Sequence, residues 1–189
     1  MTMERLFVAL PLGIEQRRLL ERQQQTLQEQ VPFQKWTHPD DLHLTLKFLG
    51  DTPADTAHRI PSLLEPISNN HAAFQLTLHG LGFFGKPNEP SILWAGVQGD
   101  FASLRALQQD VESAMETIGF VREQREYNPH ITLARRYRGA SAFTAGTLAP
   151  HIVIDNAEEG LWRVDSLVLY RTHLGRRPSY EPAAAFPLK

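Results

Sequence analysis

The sequence repeats one short pattern, as "HLTLKFLG" at residues 43–50 and as "HITLARR" at residues 130–136. Each copy begins with a histidine, an apolar residue, a threonine and a leucine. His43 and His130 are separated by nearly half of the 189-residue chain, so they cannot be neighbours on one helix or hairpin. Either the match is accidental, or two parts of the fold each deliver one histidine to the same place.

Both copies are predicted to be β-strands, since a turn-forming cluster precedes each of them. Side chains alternate along a strand, so His43 and Thr45 share one face, and His130 and Thr132 do the same. The apolar residues of the motifs then face the opposite side, where they are predicted to enter the core: Leu44, Leu46, Ile131 and Leu133.

The segments around the two motifs also resemble each other. From Leu6 to the first motif the sequence predicts strand, helix and strand, and from Ile92 to the second motif it predicts the same order over a similar length. Downstream, Phe74 and Arg163 each begin a predicted strand at a similar distance from the preceding histidine. A weak duplication of an α+β unit therefore predicts a bilobal fold, with two lobes related by a pseudo-twofold axis.

Periodicity and capping residues predict the helices. A polar helix with a thin apolar stripe is expected at residues 13–30, and the strongest helical pattern follows the N-cap Asp100 and ends before Gly119. Residues 162–170 are predicted to form one strand.

Three further local predictions concern less regular segments. Thr52 is expected to cap a helix that has Pro53 at its first position. Residues 85–90, rich in Gly, Pro and Asn, are expected to form a loop. Residues 139–160 are expected to be irregular, with one short strand at residues 151–154.

Composition limits the possible functions. A hydrophobic content of 42% in 189 residues predicts one compact unit. A net charge of −2 argues against a protein that coats nucleic acid, although not against an enzyme that binds a single phosphate. The absence of cysteine excludes thiol chemistry. The apolar run at residues 6–12 is too short to span a membrane, so we expect a cytoplasmic protein. Two basic runs, residues 135–138 and 171–177, are expected to be solvated loops when each is considered alone.

If the two strands face a common groove, their two imidazoles and two hydroxyls suit phosphodiester chemistry without a metal. A neutral histidine can take a proton from water while a protonated one gives a proton to a leaving sugar oxygen. The hydroxyls of Thr45 and Thr132 can donate hydrogen bonds to phosphate oxygens. Of the arginines after the second motif, strict alternation places Arg136, rather than Arg135, on the histidine face.

A metal site is the main chemical alternative. Four residues near the first motif could supply ligands: His38, Asp40, Asp41 and His43. The spacings typical of histidine metal sites are absent from the sequence, so a metal is ranked low, and no glycine-rich phosphate loop is found.

In its paired His-x-Thr motifs the chain resembles the two-histidine (2H) phosphoesterase superfamily. Within this superfamily it is most similar to the bacterial RNA 2′,3′-cyclic phosphodiesterases, also called 2′-5′ RNA ligases. The resemblance extends over nearly the whole chain, through "RLFVALPL", "HLTLKFLGDT", "SILWAGV" and "YNPHITLARR". It implies one domain, residues 1–189, built from two interleaved lobes. Each lobe would carry an antiparallel sheet with outer helices, and the catalytic groove would lie between the lobes.

The resemblance also implies an activity. The cyclic phosphate at an RNA end, or in a small nucleotide, would be opened to a 2′-phosphate, and the reverse reaction would join RNA through a 2′-5′ linkage. His43 would be the proton donor and His130 the proton acceptor, although the sequence leaves their order open. Thr45, Thr132 and Arg135 would bind the phosphate, without metal or cofactor, in a monomer.

Some alternatives stay open at this point. Phe48 or Phe84 could stack on the terminal base, but core packing is favoured for both. The other functions considered are a sibling activity on 2′-5′ oligonucleotides or small cyclic nucleotides, and a non-catalytic module that binds a nucleoside monophosphate.

Overall fold

The computed structural model describes residues 2–146, 148 and 160–189. The strands are β1 (Met3–Pro11), β2 (Phe33–Trp36), β3 (His43–Pro53), β4 (Phe74–Lys86), β5 (Glu89–Gly99), β6 (Ile131–Tyr137), β7 (Leu161–Val164), β8 (Ser166–Thr172) and β9 (Tyr180–Pro187). The helices are α1 (Ile14–Gln28), α2 (Ala54–Ala57), α3 (Ile60–Asn70) and α4 (Phe101–Glu116), and one 3-10 turn covers Pro39–Asp41.

The described strands form a curved antiparallel sheet in the order β7-β4-β5-β6-β3-β1-β8-β9, and β2 pairs with β6 beyond the end of β3. The neighbours β6 and β3 are joined at a single residue pair, Leu44 with Ile131. Two half-sheets therefore meet at this pair. The predicted antiparallel α+β fold is confirmed, with the two sheets connected rather than separate.

The strand order is symmetric about the junction of β3 and β6. Moving outward, β1 corresponds to β5, β8 to β4, and β9 to β7. The prediction that Phe74 and Arg163 begin equivalent strands is therefore wrong, because Arg163 lies in β7, which pairs with Phe74's own strand. The equivalent of β4 is β8, which begins at Ser166. The strands of the two halves are interleaved along the chain.

The single strand predicted at residues 162–170 is two strands. Asp165 interrupts it, and its carbonyl accepts a hydrogen bond from the amide of Leu188. Before Asp165 the chain pairs with β4, and after it the chain pairs with β1, on the other half-sheet. The two strands are also buried differently, since β7 alternates between exposed and buried residues whereas residues 167–170 of β8 are all buried.

The two main helices form where predicted. The side chain of Asp100 accepts a hydrogen bond from the amide of Ser103, and Gly119 follows α4 with φ 97°. The apolar residues along one face of each helix are buried: Leu20 and Leu27 in α1, and Leu104, Leu107, Val111 and Met115 in α4. The four apolar motif residues of β3 and β6 are buried as well: Leu44, Leu46, Ile131 and Leu133.

Two local predictions are corrected. Thr52 is a fully buried residue of β3, and the N-cap of α2 is Pro53. The expected loop at residues 85–90 is a tight hairpin, since β4 and β5 pair almost to the turn. The strand predicted at residues 151–154 lies outside the described residues.

Candidate active site

The two motif histidines meet where the half-sheets join. Leu44 and Ile131 are paired in antiparallel register, and each of them directly follows its histidine. Continuing this register by one residue sets His43 opposite Thr132 and Thr45 opposite His130. The fold therefore brings the residues that the sequence predicted onto two neighbouring strands at this junction.

Both imidazoles are oriented by the same local contact. The Nδ1 of His43 lies 2.7 Å from the carbonyl oxygen of Asp41, and the Nδ1 of His130 lies 2.7 Å from that of Asn128. A carbonyl oxygen only accepts, so Nδ1 must carry the proton in each ring. The Nε2 atoms, which are free of that contact, are the nitrogens able to take or give a proton in the groove.

His43 lies in an aromatic pocket formed by Phe7, Tyr170 and Tyr180, with ring centroids 4.7, 5.9 and 5.2 Å from its own. Its Nε2 is 3.1 Å from the hydroxyl of Thr45. Burial lowers the pKa of His43 to about 4, although the Asp41 contact opposes the change. In the ligand-free protein this imidazole is therefore neutral at pH 7.

His130 is packed less closely. Phe84 contacts it edge-on at 4.9 Å, and Trp94 lies 6.3 Å away. Burial lowers the pKa of His130, and the positive charge of Arg135 lowers it further. Arg135 also lowers the pKa of His43, as does His130. Both imidazoles and this guanidinium therefore lie within electrostatic range of one another.

Arg135, rather than Arg136, faces the groove. Strict alternation fails because β6 contains a bulge: Trp94 pairs with Thr132 but Leu93 pairs with Ala134, which leaves Leu133 as the extra residue. Arg136 takes φ 62° and is exposed. Arg135 lines the small cavity of the groove together with Thr132 and residues of the first half. The expectation from alternation is thus wrong.

A buried glutamine holds this bulge. Gln24 of α1 is 3% exposed, and its Nε2 donates to the carbonyls of Thr37 and Leu133 at 2.9 and 3.0 Å. The amide of Thr37 also donates to the carbonyl of Leu133 at 2.9 Å. The carbonyl of the bulged Leu133 thus has two hydrogen-bond donors. These contacts stabilise the bulge, which places Arg135 on the groove side of β6.

We expect Gln24→Leu to lower the rate of the reaction proposed below by about tenfold, because a loosened bulge misplaces Arg135. When Gln24→Leu is added to Arg135→Ala, the further loss of rate should be small, since the glutamine acts through that arginine. Steady-state kinetics of the two single variants and the double variant measure this coupling. Gln25→Leu, one position along on the exposed face, is the matched control. Additive losses in the double variant would contradict the assignment.

Phe48 occupies the position in β3 that Arg135 occupies in β6. A bulge follows Thr45 just as one follows Thr132, so the fifth residue after each histidine returns to the groove face. Phe48 is 65% exposed and lines the small cavity. The preference for core packing at Phe48 is therefore wrong. Phe84 packs against His130 instead.

Asp41 is a site residue with a structural role. Its carboxylate is buried and accepts hydrogen bonds from the amides of Ser179 and Tyr180 at 2.8–3.0 Å, which holds Tyr180 against His43. The carboxylate is thus already engaged by backbone donors. Within the described ranges no group of three or more potential metal-ligating side chains is found.

The basic run near the C-terminus is paired with acidic side chains. Arg171 donates to Glu4, and His173 and Arg176 both contact Glu181. Two of the three arginines in residues 171–177 are therefore paired with carboxylates. No helix of the described part of the chain is long and apolar enough to cross a membrane.

Comparison with known proteins identifies the family of this chain. The family model of the 2′-5′ RNA ligase superfamily matches residues 16–176, which include both motifs and most of the chain. This chain belongs to the 2′-5′ RNA ligase superfamily. It is 36% identical over 182 residues to the RNA 2′,3′-cyclic phosphodiesterase of Geobacillus stearothermophilus, covering 96% of this chain and 56% of the relative.

Two further superfamily comparisons cover both partners more evenly. The RNA 2′,3′-cyclic phosphodiesterase of Bacillus subtilis is 30% identical over 84% of this chain and 82% of its own. The crystal structure of E. coli LigT in apo form superposes with a TM-score of 0.76 at 24% identity, over 100% of this chain and 99% of the other. The described part of the chain therefore has the LigT fold, whereas the chain spans little more than half of the Geobacillus relative.

Several residues of this site were not predicted from the sequence. Tyr180 lies in a C-terminal strand more than 40 residues beyond the second motif, and no spacing connects it to His43. Gln24 lies in a polar helix where glutamines are frequent. Asp41 is considered from the sequence only as a possible metal ligand, whereas in the structure its carbonyl accepts the Nδ1–H of His43 and its carboxylate holds Tyr180.

Proposed function

We propose that this protein hydrolyses RNA 2′,3′-cyclic phosphate ends to 2′-phosphate ends by metal-independent two-histidine acid–base catalysis. The observation that supports this best is the matched pair of imidazoles, each held through Nδ1 by a backbone carbonyl so that its Nε2 is available in the groove. Its relatives in Geobacillus and Bacillus carry the name RNA 2′,3′-cyclic phosphodiesterase.

In the proposed reaction, water attacks the phosphorus and the bond to the 3′ oxygen breaks. His130 takes the proton of the water, and His43 gives a proton to the 3′ oxygen, which leaves a 2′-phosphate. His43 is neutral in the free protein, so a bound phosphate anion must first raise its pKa. Thr45, Thr132 and Arg135 would bind the non-bridging oxygens, where negative charge accumulates.

The terminal nucleoside has a place in this arrangement. Phe48 is exposed beside His43 and Thr45 in the small cavity that Tyr180 also lines. A base stacked on Phe48 would be held mainly by its π-face, which all four bases share. We therefore propose an RNA end or a small cyclic-phosphate nucleotide as substrate, with little base specificity at this position.

An assay of the product tests the proposal. The protein is incubated, with a chelator present, with RNA that ends in a 2′,3′-cyclic phosphate, and the product ends are identified. We expect 2′-phosphate ends, formed at the same rate with and without chelator. Absence of turnover, or complete loss of activity in chelator, would refute the metal-free mechanism.

The pH dependence follows from the two lowered pKa values. In the active form one of the two Nε2 atoms carries a proton. This form is lost below the lower pKa, when both imidazoles are cationic, and above the higher pKa, when both are neutral. Burial puts the pKa of His43 at about 4 and that of His130 below its usual 6.5. We expect kcat/KM to form a bell with its maximum below about pH 6.5.

The measurement is kcat/KM on a nucleoside 2′,3′-cyclic monophosphate from about pH 4 to about pH 9. Because kcat/KM reports the free protein, the bound phosphate does not alter the comparison. A maximum at or above neutral pH would contradict the lowered pKa values.

The single-domain organisation over residues 1–189, the cytoplasmic location and the monomeric state stay predictions.

A further inference from the structure

A larger cavity lies beside His130 and is separate from the small cavity of the groove. It has a volume of about 540 Å³, and the segment 126–129 that forms part of its wall leads directly into His130. Trp94 lines it as well, and the ring of this tryptophan is 6.3 Å from that of His130. The residues proposed to bind the phosphate do not line it: Thr45, Thr132 and Arg135.

The wall of this cavity, which we name the Trp94 cavity, combines aromatic and charged groups. Phe101 and Tyr127 join Trp94 in lining it, and Arg105 and Glu126 contact each other at 3.4 Å while remaining largely exposed. Its volume falls in the range of pockets that bind small organic ligands, about 300–1,000 Å³. Aromatic faces beside an arginine are the combination that stacks nucleobases in proteins that bind single strands.

Two glycines keep the indole of Trp94 flat on the sheet. A Cβ at Gly82, which pairs with Trp94, would collide with the indole ring, and a Cβ at Gly96 would meet the carbonyl oxygen of His79 at 2.5 Å and the indole at 3.4 Å. The ring thus lies across the two strands with its other face turned away from them. Within the described ranges, its buried Nε1–H has no hydrogen-bond partner.

We propose that the Trp94 cavity binds a second nucleoside of the RNA, next to the one that carries the cyclic phosphate. This inference rests on the proposed function, because it takes the phosphate to lie between the two histidines. Trp94 and Tyr127 supply apolar ring faces, and Arg105 and Glu126 supply a donor and an acceptor at the edge. The cavity is adjacent to one imidazole only, so it extends the substrate site in one direction.

The second nucleoside can come from two sources. One is the penultimate nucleotide of the same strand. The other is the first nucleoside of an incoming strand whose 5′-hydroxyl replaces water: its oxygen bonds to phosphorus, its proton passes to one imidazole, and the bond to the 3′ oxygen breaks as the other imidazole protonates that oxygen. A 2′-5′ linkage results. Both sources present the same chemistry to the cavity, a base on a ribose.

Binding is tested without catalysis. The indole ¹H–¹⁵N resonances of the full chain are followed during titration with the dinucleoside monophosphate ApA, and Trp94→Phe identifies the relevant signal. We expect a saturable shift of the Trp94 signal, and about tenfold weaker binding in Phe101→Ala and Arg105→Ala. Arg122→Ala, which removes an exposed arginine outside the cavity, is the matched control. An unmoved Trp94 signal would overturn the proposal whether or not the protein is active.

Kinetics distinguish the two sources. If the same strand fills the cavity, Arg105→Ala lowers kcat/KM for ApA 2′,3′-cyclic phosphate about tenfold and leaves that for adenosine 2′,3′-cyclic phosphate unchanged. If the incoming strand fills it, the variant loses joining to added 5′-hydroxyl ApA and keeps both hydrolyses. If neither changes, the proposal is wrong. If the wild-type protein does not open adenosine 2′,3′-cyclic phosphate, the proposed function is refuted instead. The titration with ApA still tests whether the Trp94 cavity binds a nucleoside.

Discussion

His43→Ala and His130→Ala should each reduce the rate of cyclic phosphate opening by about a hundredfold to ten-thousandfold. Each variant removes one Nε2 that takes or gives a proton, while the strands that carry the motifs keep their buried faces. The double variant should lose little more than either single variant, because one proton donor without its acceptor completes no turnover. The measurement is single-turnover hydrolysis of an adenosine 2′,3′-cyclic phosphate end.

The control is His58→Ala, which removes an exposed histidine at the end of α2. Circular dichroism and thermal unfolding of all variants establish that the fold survives. His43→Gln provides a second test, since it keeps a polar side chain among Phe7, Tyr170 and Tyr180 and creates less empty space. A histidine variant that is folded and retains the full rate would refute the two-histidine assignment.

Lys47→Met should destabilise the protein by about 3–5 kcal/mol, because it leaves a buried carboxylate without its partner. Lys47 of β3 is 5% exposed and Glu112 of α4 is 4% exposed, and their charged atoms are 2.7 Å apart. The lysine also donates to the carbonyl of Val121 at 3.0 Å, and the carboxylate accepts from the amide of Glu123 at 3.4 Å. The pair thus joins the first half-sheet to the segment that leads to His130.

Thermal unfolding measures this effect, and the single variant should have a Tm lower by about 10 °C. The double variant Lys47→Met/Glu112→Leu should recover most of the loss, since an apolar pair avoids the cost of burying charge. Glu116→Gln, which breaks the exposed contact with Arg122, is the control and should change stability by less than about 1 kcal/mol. A single variant as stable as the wild type would contradict a buried, coupled pair.

The sequence predicted the site where the pattern was local. Each motif puts a histidine and a threonine on one strand face. The other face carries two leucines in the first motif and an isoleucine and a leucine in the second, and burial of this apolar face fixes the orientation of the strand. His43, Thr45, His130 and Thr132 could therefore be named without the structure. The α4 helix was equally clear, because its cap at Asp100 and its apolar stripe agree.

Predictions that depended on regular alternation or on distant contacts were wrong or missing. Bulges after Thr45 and Thr132 shift the groove face by one residue, and they bring Phe48 and Arg135 to it in place of their neighbours. A bulge is stabilised by partners far along the chain, here Gln24, so the strand sequence alone does not reveal it.

The sequence by itself determined that two strands each present a histidine and a threonine on one face, because the period of a strand fixes the faces of its own side chains. Only the tertiary structure decided how unequal the two histidines are. His43 lies among Phe7, Tyr170 and Tyr180, while His130 borders the Trp94 cavity. These neighbours come from separate strands, and burial by them sets the pKa of each imidazole.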